Sequence, residues 1–316
     1  MIKKYSLALF IFILFSLSLF AGPGYHQTRS LESLWNLGHI MLFALLIYFL
    51  LEFWPWLQRQ KQGRQILLVF LITLMLGVGI ELTQAALGSG NPDLKDVVRD
   101  LLGGVLPPVF SARIRFRSGL RFGLKTILLL LIIVALLPTG LAALDEYRAQ
   151  TRFPLLGDFE SRLELTRWIG DADFRLSTTK VWHGRKSLKI RLTTERYSGV
   201  SLVYLPSDWS AYSTLHFHIY NPDSLPLTLT ARIHDARHVK NGQPYSDRFN
   251  KRFTVHAGWN EIIMDLNEVK SAPRTRTMDM KKIKNFAVFA TRLPASRVIY
   301  LDDVFLSKEP PSGAGG

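Results

Sequence analysis

Apolar runs occupy most of the first 145 residues, and they constrain the fold more than any other feature of the sequence. Each is close to the length that a helix needs to cross the hydrocarbon core of a bilayer, which is roughly 20 residues. We predict five transmembrane helices, and their ranges are 5–21, 35–56, 66–87, 94–111 and 126–144. The fourth range is short and carries several charged residues, so a re-entrant segment is the alternative to a full crossing there.

Basic residues predict the orientation of these helices. Clusters at residues 59–64 and 113–125 flank apolar runs, and loops rich in Lys and Arg stay on the cytoplasmic side of a membrane. We therefore predict a multi-pass protein of a bacterial inner (cytoplasmic) membrane, with its N-terminus in the cytoplasm and its C-terminal half outside. A signal peptide ending at Ala21 is the alternative for the first range, although Leu19 stands where a small residue is typical.

The formal net charge of the 316-residue chain is +14, an excess that is common among nucleic-acid-binding proteins. Much of it flanks the apolar runs, so it indicates membrane topology, and we predict membrane lipid rather than nucleic acid as a partner. The chain has no cysteine, which excludes disulfides and thiol chemistry.

Polar side chains recur near the outer ends of three predicted helices. They are His39, Glu81, Gln84, Asp96 and Asp100. Ionisable residues at membrane depth are costly and by default indicate a functional site, here a membrane polar site. Gly103 and Gly104 continue the acidic helix face and predict a close approach by another helix. In the structural alternative, the carboxylates only pair with Lys95 and Arg99.

The same positions resemble the motif of the VanZ-like family of small membrane proteins, over residues 5–145. The matching residues are His39, Phe43, Glu81, Gln84, Asp96, Asp100 and Gly103. The chain departs from the family where Asn36 replaces a Lys, Phe43 replaces a Tyr and Asp100 replaces an Asn. It also lacks the Arg expected near residues 88–91. The resemblance implies an integral membrane protein connected with low-level glycopeptide resistance, and it assigns no reaction.

In the C-terminal half the apolar pattern changes from a helical period to alternation. Leu215, Phe217 and Ile219, for example, alternate with polar residues. Period two over several short runs, with Gly, Pro, Asn and Asp between them, predicts an all-β sandwich after the all-α membrane region. The predicted boundaries are a linker at 146–156, the sandwich at 157–307 and a disordered tail at 308–316.

The order of short motifs in this half resembles galactose-binding-like jelly rolls, which include many carbohydrate-binding modules. The motifs are residues 158–160, 182–188, 208–212, 257–260 and 298–304. The resemblance implies a jelly-roll fold and, less specifically, an envelope saccharide or glycolipid as ligand.

One outward face of the predicted sandwich is a candidate ligand site. Its residues are His216, His218, Tyr220, Arg232 and His234, and Tyr245 and Arg248 are candidates to extend it. Rings and guanidinium groups on one face suit a glycan, by stacking and by bidentate hydrogen bonds. An ordinary solvated face is the alternative. We predict that Trp209 and Trp259 are core or turn-packing residues.

Three carboxylates near the terminal strands form a second candidate site. If those strands pair, Glu160, Asp302 and Asp303 meet and hold a structural Ca²⁺, a cation that prefers oxygen ligands. Solvated strand-end carboxylates are the alternative.

These features predict an envelope membrane protein whose sandwich binds a saccharide or glycolipid, with a polar site at the outer membrane face. An effect on envelope glycans or on glycopeptide susceptibility is part of this hypothesis. Two alternatives stay open: a membrane enzyme acting on a lipid-linked envelope precursor, and a structural or protein-interaction protein without ligand chemistry. No catalytic set is assigned, and the ligand, any reaction and the oligomeric state stay open.

Overall fold

The structure is a computed structural model that describes residues 28–87 and 93–310. The chain divides into two compact units, Met1–Ala143 and Leu144–Gly316. The described part of the first unit is helical, and the second unit is built mainly from strands.

Helices follow one another through the first unit with short connections. Their bounds are α1 (Arg29–Asn36), α2 (Gly38–Phe53), α3 (Pro55–Gln58), α4 (Gln62–Leu87), α5 (Leu94–Phe110) and α6 (Ser118–Arg152). Side chains cap two of the starts, since Thr28 accepts the Leu31 N–H at α1 and Asp93 accepts an N–H at α5. These caps satisfy amides that the first turn of a helix leaves free. The last helix, α6, continues into the second unit.

Within the described residues, three helical stretches are long and apolar enough to cross a membrane, judged by length and composition. They are Arg29–Phe53, Gln62–Ala86 and Ser118–Arg152, and they coincide with the second, third and fifth predicted spans. The fourth predicted span forms α5, a helix of 17 residues that is not one of these three. The first predicted span, residues 5–21, lies outside the described residues. The count of five spans therefore stays a prediction.

Glycines let α5 pack closely against its neighbours. Gly103 lies against the backbone of Ile40 on α2, and Gly104 lies against Thr73 on α4, without room for a Cβ at either position. The close approach predicted for this glycine face is confirmed. It also brings the acidic residues of α5 next to α2 and α4, which determines the geometry of the polar site.

The second unit is a sandwich of two antiparallel sheets, as predicted. The strands are β1 (Leu155–Gly157), β2 (Trp168–Ile169), β3 (Asp173–Ser177), β4 (Ser187–Leu192), β5 (Ser198–Leu202), β6 (Thr214–Asn221), β7 (Leu227–Asp235), β8 (Phe249–Val255), β9 (Gly258–Asp265), β10 (Ile283–Ala290) and β11 (Arg297–Ser307). In the described chain, the six-stranded sheet has the order β3-β4-β11-β6-β9, with β1 also pairing with β11. The five-stranded sheet has the order β2-β5-β10-β7-β8. Short helices α7 (Ala236–Lys240) and α8 (Leu266–Ser271) follow β7 and β9.

Alternation along the strands builds the core between the sheets. Leu215, Phe217 and Ile219 of β6 are fully buried, whereas His216 and Tyr220 on the other side of the strand are only half-buried. Burial of each large apolar side chain stabilises the sandwich by about 1.5–3 kcal/mol relative to leaving it exposed. The residues between them are free to build an outer surface.

Ion pairs attach the end of α6 to the sandwich within the second unit. Arg167 Nε lies 3.3 Å from Asp145 Oδ2, and Arg152 pairs with Asp158. Residues 146–156, predicted as a linker, therefore comprise the last turns of α6 and the start of β1. The predicted tail starts inside the described chain, which ends at residue 310, and its remainder lies outside the described residues.

Candidate functional site

The five predicted ligand residues of the sandwich do not share one face. His216, His218 and Tyr220 lie on β6 of the six-stranded sheet, and Arg232 and His234 lie on β7 of the five-stranded sheet. The outer surfaces of two packed sheets point in opposite directions. The prediction of a single face is corrected accordingly, because alternation along a strand does not reveal which sheet the strand joins.

A groove with a volume of about 220 Å³ lies on the outer side of the five-stranded sheet. We call it the outer groove, and it is lined by Gly170, Asp171, Tyr197, Ser198, Gly199, Val200, Ser201, Arg232, Arg248 and Phe289. Tyr197 is 48% exposed, and its ring meets Phe289 edge-on at a centroid distance of 5.8 Å. The outer groove therefore offers an open aromatic surface beside polar side chains.

Two guanidinium groups border the outer groove. Arg232 lies over the Phe289 ring at 5.8 Å, and its Nη2 donates to Asn285 Oδ1 at 3.3 Å. Arg248 lies 5.3 Å from the centre of the Tyr245 ring, and its Nε is buried without a hydrogen-bond partner among the residues described. Burial lowers the pKa of Arg248 below its ordinary value. A guanidinium nevertheless keeps its charge at neutral pH, so both groups can donate to a ligand oxygen.

His234 does not line the outer groove, although Arg232 does. The imidazole of His234 is buried and meets the His238 ring at a tilt of 43°, with the ring centres 4.6 Å apart. Burial lowers the pKa of His234 to about 3, so this ring is neutral at physiological pH. Its position indicates a packing role beneath the end of the sheet.

The opposite surface carries an aromatic cluster on the six-stranded sheet. We define the aromatic cluster as Trp182, His218, Tyr220, Trp259 and Tyr300. Trp182 is 50% exposed and stacks on His218 with a centroid distance of 4.3 Å. Tyr220 meets Trp259 at 5.3 Å. These rings contact one another, so the cluster is a packed surface from which the Trp182 indole is half-exposed.

Only one of the two tryptophans that the sequence predicts as core or turn-packing residues lies in the core. Trp209 is fully buried, and its indole N–H donates to the Pro206 carbonyl at 2.9 Å, which confirms the predicted core role. Trp259 lies outside the core, where it follows the positive-φ Gly258 and packs against Trp182 and Tyr220 in the aromatic cluster. Tyr197 of the outer groove was also missed, and its local signal is weak: an exposed aromatic residue just before a Ser-Gly strand start.

Two of the three predicted calcium ligands, Glu160 and Asp302, accept hydrogen bonds from backbone amides. Glu160 Oε1 accepts the Lys186 N–H at 2.8 Å, and Asp302 Oδ2 accepts the Trp182 and His183 N–H groups at 2.7 and 3.1 Å. The terminal strands β1 and β11 do pair. Even so, no group of three or more His, Asp or Glu residues in the described ranges is placed to hold a metal ion. Glu160 and Asp302 instead hold the loop that carries Trp182.

Burial raises the pKa of Asp302 to about 6. The neighbouring carboxylate oxygen Asp303 Oδ2 lies 3.6 Å from His218 Nδ1. Burial in turn lowers the pKa of His218. The His218 ring beneath Trp182 is therefore neutral at neutral pH, and it adds no charge to that of the carboxylates. This arrangement suits a role in positioning the Trp182 loop.

The first unit brings two of its five predicted polar residues into direct contact. His39 Nδ1 lies 2.9 Å from Asp100 Oδ1, and both side chains are buried. Gly77 makes room for this pair, because a Cβ there would lie 2.7 Å from Asp100 Oδ2. Of all residues described, none donates a hydrogen bond to that second oxygen of Asp100.

The other predicted polar residues have separate partners. Asp96 pairs with Arg99 on the same helix, as in the structural alternative. Glu81 Oε2 accepts the Asp93 N–H at 2.8 Å, at the start of α5. Gln84 is half-buried one turn after Glu81. The polar residues thus lie around the junction of α4 and α5, with the His39–Asp100 pair as the buried contact.

The two units define the class of protein: a region with three long apolar helices among the described residues, followed by a two-sheet antiparallel β-sandwich. No family model matches the chain, and no curated protein matches it. The VanZ-like resemblance therefore stays a prediction.

Solved structures similar to the sandwich include carbohydrate-binding modules. A family 11 module from Clostridium thermocellum, in complex with a β-1,3-1,4-mixed-linked tetrasaccharide, is 17% identical over 49% of this chain and 95% of that chain, with a TM-score of 0.38. A xylan-binding domain of family 22 is 14% identical over 48% of this chain and 92% of that chain, with a TM-score of 0.32. An exo-β-agarase is 16% identical over 50% of this chain, with a TM-score of 0.41, and the match spans 25% of the agarase. At these identities and TM-scores, any ligand of this chain has to be argued from its own side chains.

Proposed function

We propose that this chain is an envelope membrane protein whose sandwich binds a saccharide in the outer groove. The observation that carries the proposal is an exposed Tyr197 ring beside the guanidinium groups of Arg232 and Arg248. The C–H face of a sugar ring stacks on an aromatic side chain, and a guanidinium donates paired hydrogen bonds to neighbouring oxygens.

The size and charge of the outer groove narrow the ligand class. Its volume of about 220 Å³ is below the roughly 300–1,000 Å³ of drug-sized sites, which suits one sugar unit of a longer chain. Two cations, Arg232 and Arg248, face one carboxylate, Asp171, in its lining. This balance favours a saccharide that carries a carboxylate or phosphate group.

The membrane part supports a location at the cell envelope. Three described stretches are long and apolar enough to span a bilayer, and the last of them leads into the sandwich. Basic clusters at residues 59–64 and 113–125 favour a cytoplasmic location for the two loops that contain them. We accordingly propose five spans with the sandwich outside the cytoplasm of a bacterial cell.

The fragment 144–310 is expected to bind acidic saccharides on a glycan array, and Arg248→Ala is expected to weaken that binding. Loss of a charge-assisted hydrogen bond costs about 1.5–3 kcal/mol, or about a tenfold weaker affinity or more. Tyr197→Ala removes the stacking surface and is expected to have an effect of similar size. Titration calorimetry with the best array ligand measures both.

Trp182→Ala is the matched control for that experiment, because it removes an exposed aromatic ring that packs on His218 of the opposite sheet. Binding that survives Trp182→Ala and falls in the two groove variants supports the outer groove. Binding lost only in Trp182→Ala would move the site to the aromatic cluster. A folded fragment that binds no glycan would contradict saccharide recognition altogether.

The buried His39–Asp100 pair favours a second candidate function, a membrane enzyme acting on a lipid-linked envelope precursor. A carboxylate that orients a histidine ring is a common arrangement for a general base, and buried ionisable groups at membrane depth indicate function. Glu81 lies close enough to interact electrostatically with His39. In this candidate, Asp100 holds the His39 ring while that ring exchanges a proton with the substrate.

Asp100→Asn in the full-length protein is expected to abolish turnover of a lipid-linked sugar while the level of protein in the membrane stays normal. The amide retains the shape of the carboxylate but cannot stabilise a protonated His39. Glu52→Gln is the control, since it alters an exposed pair with Arg113. Turnover by Asp100→Asn at the wild-type rate would exclude catalysis by this pair. If Asp100→Asn instead lowers the level of the protein in the membrane, the structural alternative is favoured.

A further inference from the structure

One end of the sandwich contains a cavity of about 390 Å³ that the proposed saccharide site does not use. We call it the basic cavity. Its floor is formed by buried side chains, including Trp209, Met278 and Met280. Arg237, from α7, contributes to its rim. The cavity thus combines an apolar floor with a polar rim.

The charges around the basic cavity are unbalanced. Arg237, Lys270 and Lys281 line it and are exposed, and no ion pair involves any of them in the described part of the chain. The carboxylate in the lining is Asp279, whose Oδ1 already accepts the Lys281 backbone N–H at 3.2 Å. Exposed Asp208 lies outside this lining. Hydrogen bonds from Ser210 lower the pKa of Asp208, and the positive charge of Lys281 also lowers it. Within the lining, three cations face one carboxylate, and this balance favours an anion as ligand.

The basic cavity is at the end of the sandwich where the chain arrives from α6. Tyr212 lines the cavity, and its ring meets Phe153 edge-on at 5.2 Å, one residue after α6 ends. The Leu306 N–H donates to the Pro154 carbonyl at 3.1 Å beside it. The ion pairs of Asp145 and Arg152 with sandwich residues hold this arrangement within the second unit.

The helix between the apolar run and the sandwich is short enough for this end to reach lipid headgroups if α6 spans the membrane as proposed above. The apolar run ends at Leu144, and the following eight residues of α6 rise by about 12 Å. Headgroups extend roughly 5–8 Å beyond the hydrocarbon core on each side of a bilayer. Lys and Arg side chains are long enough to cover the remaining distance while their stems lie on apolar surface.

We propose that the basic cavity binds the phosphate group of an anionic phospholipid in the leaflet from which α6 emerges. The three cations neutralise the phosphate, and the apolar floor of Trp209 and the methionines accepts the glycerol portion. Anionic leaflets attract cationic side chains at short range, and the phosphate accepts several hydrogen bonds at once. The proposal is independent of saccharide binding, because the outer groove lies on the face of a sheet and the basic cavity lies at the end of the sandwich.

The test measures amide hydrogen exchange of the full-length protein in nanodiscs of phosphatidylcholine, alone or with roughly one third phosphatidylglycerol. We expect peptides covering 266–271 and 277–282 to exchange about fivefold more slowly with phosphatidylglycerol, the factor that one cation at an anionic surface supplies. The double variant Lys270→Glu/Lys281→Glu should lose this protection. Exchange of β10 in the same sample checks that the variant is folded.

Arg191→Glu is the matched control, an exposed charge reversal on β4 opposite Val298, near the other end of β11. Protection that survives in Arg191→Glu and disappears in the double variant supports the lipid site. Equal exchange in the two kinds of nanodisc, or protection that the double variant retains, would overturn it. Equal protection by inorganic phosphate in phosphatidylcholine discs would overturn the lipid source in favour of a soluble anion.

Discussion

Arg276→Ala is expected to lower the free energy of unfolding of fragment 144–310 by about 3–5 kcal/mol, the cost of removing one partner from a buried ion pair. The Arg276 guanidinium donates to both Asp235 oxygens at 2.6 and 2.8 Å and to both Asp247 oxygens at 2.5 and 2.9 Å. Asp235 is fully buried and Asp247 is 6% exposed. The variant leaves two buried carboxylates without their cation, and urea unfolding measures the loss.

Lys251→Ala is the control, because Lys251 forms an exposed pair with Glu268 and exposed pairs contribute less than about 1 kcal/mol.

The difference in free energy of unfolding between wild type and Arg276→Ala should also depend on pH. Hydrogen bonds from Arg276 hold the pKa of Asp247 below its ordinary value, so the stability they supply is present above the unfolded pKa and disappears as pH falls through the folded one. A difference that stays constant from neutral pH down to strongly acidic pH would contradict this account.

Gly103→Ala is expected to destabilise the helical unit of the full-length protein, against the usual trend. Alanine normally stabilises a helix by about 0.5–1 kcal/mol relative to glycine. At Gly103 the new methyl group would overlap the Ile40 carbonyl of α2, and overpacking costs about 1–3 kcal/mol or more. Thermal unfolding in detergent should show a lower midpoint and a loss of monodisperse protein.

Gly79→Ala provides the matched comparison in α4, since no described atom lies within 4 Å of a Cβ placed there. We expect this variant to match or exceed the wild-type midpoint. Equal midpoints for the two alanine variants would show that α5 does not approach α2 as closely as the structure indicates.

Local patterns predicted much of the architecture. The alternation of Leu215, Phe217 and Ile219 predicted strands with one buried side, and all three residues are in the core. The glycine face after Asp100 predicted close helix packing, which Gly103 and Gly104 show. These properties depend on residues a few positions apart, where the period of a helix or strand decides which side chains share a face.

The candidate sites were less predictable, because they depend on which strands become neighbours. Arg232 and Phe289 lie together because β7 pairs with β10, and Tyr197 precedes β5, which pairs with β10 on its other side. Such pairings join residues far apart in the chain, and no local pattern encodes them. The same limit explains why Glu160, three residues after β1, and Asp302 of β11 bind separate backbone amides although β1 and β11 pair.

The sequence by itself determined that apolar helices precede a β-sandwich, and it identified Leu215, Phe217 and Ile219 as the core side of β6. The tertiary structure alone decided that β6 and β7 join different sheets, which separates His216, His218 and Tyr220 from Arg232 and His234. It also decided that Tyr197, Arg248 and Phe289 share a groove. The physical reason is that side-chain direction repeats locally with the backbone period, whereas sheet membership follows from long-range hydrogen bonding and burial of the whole core.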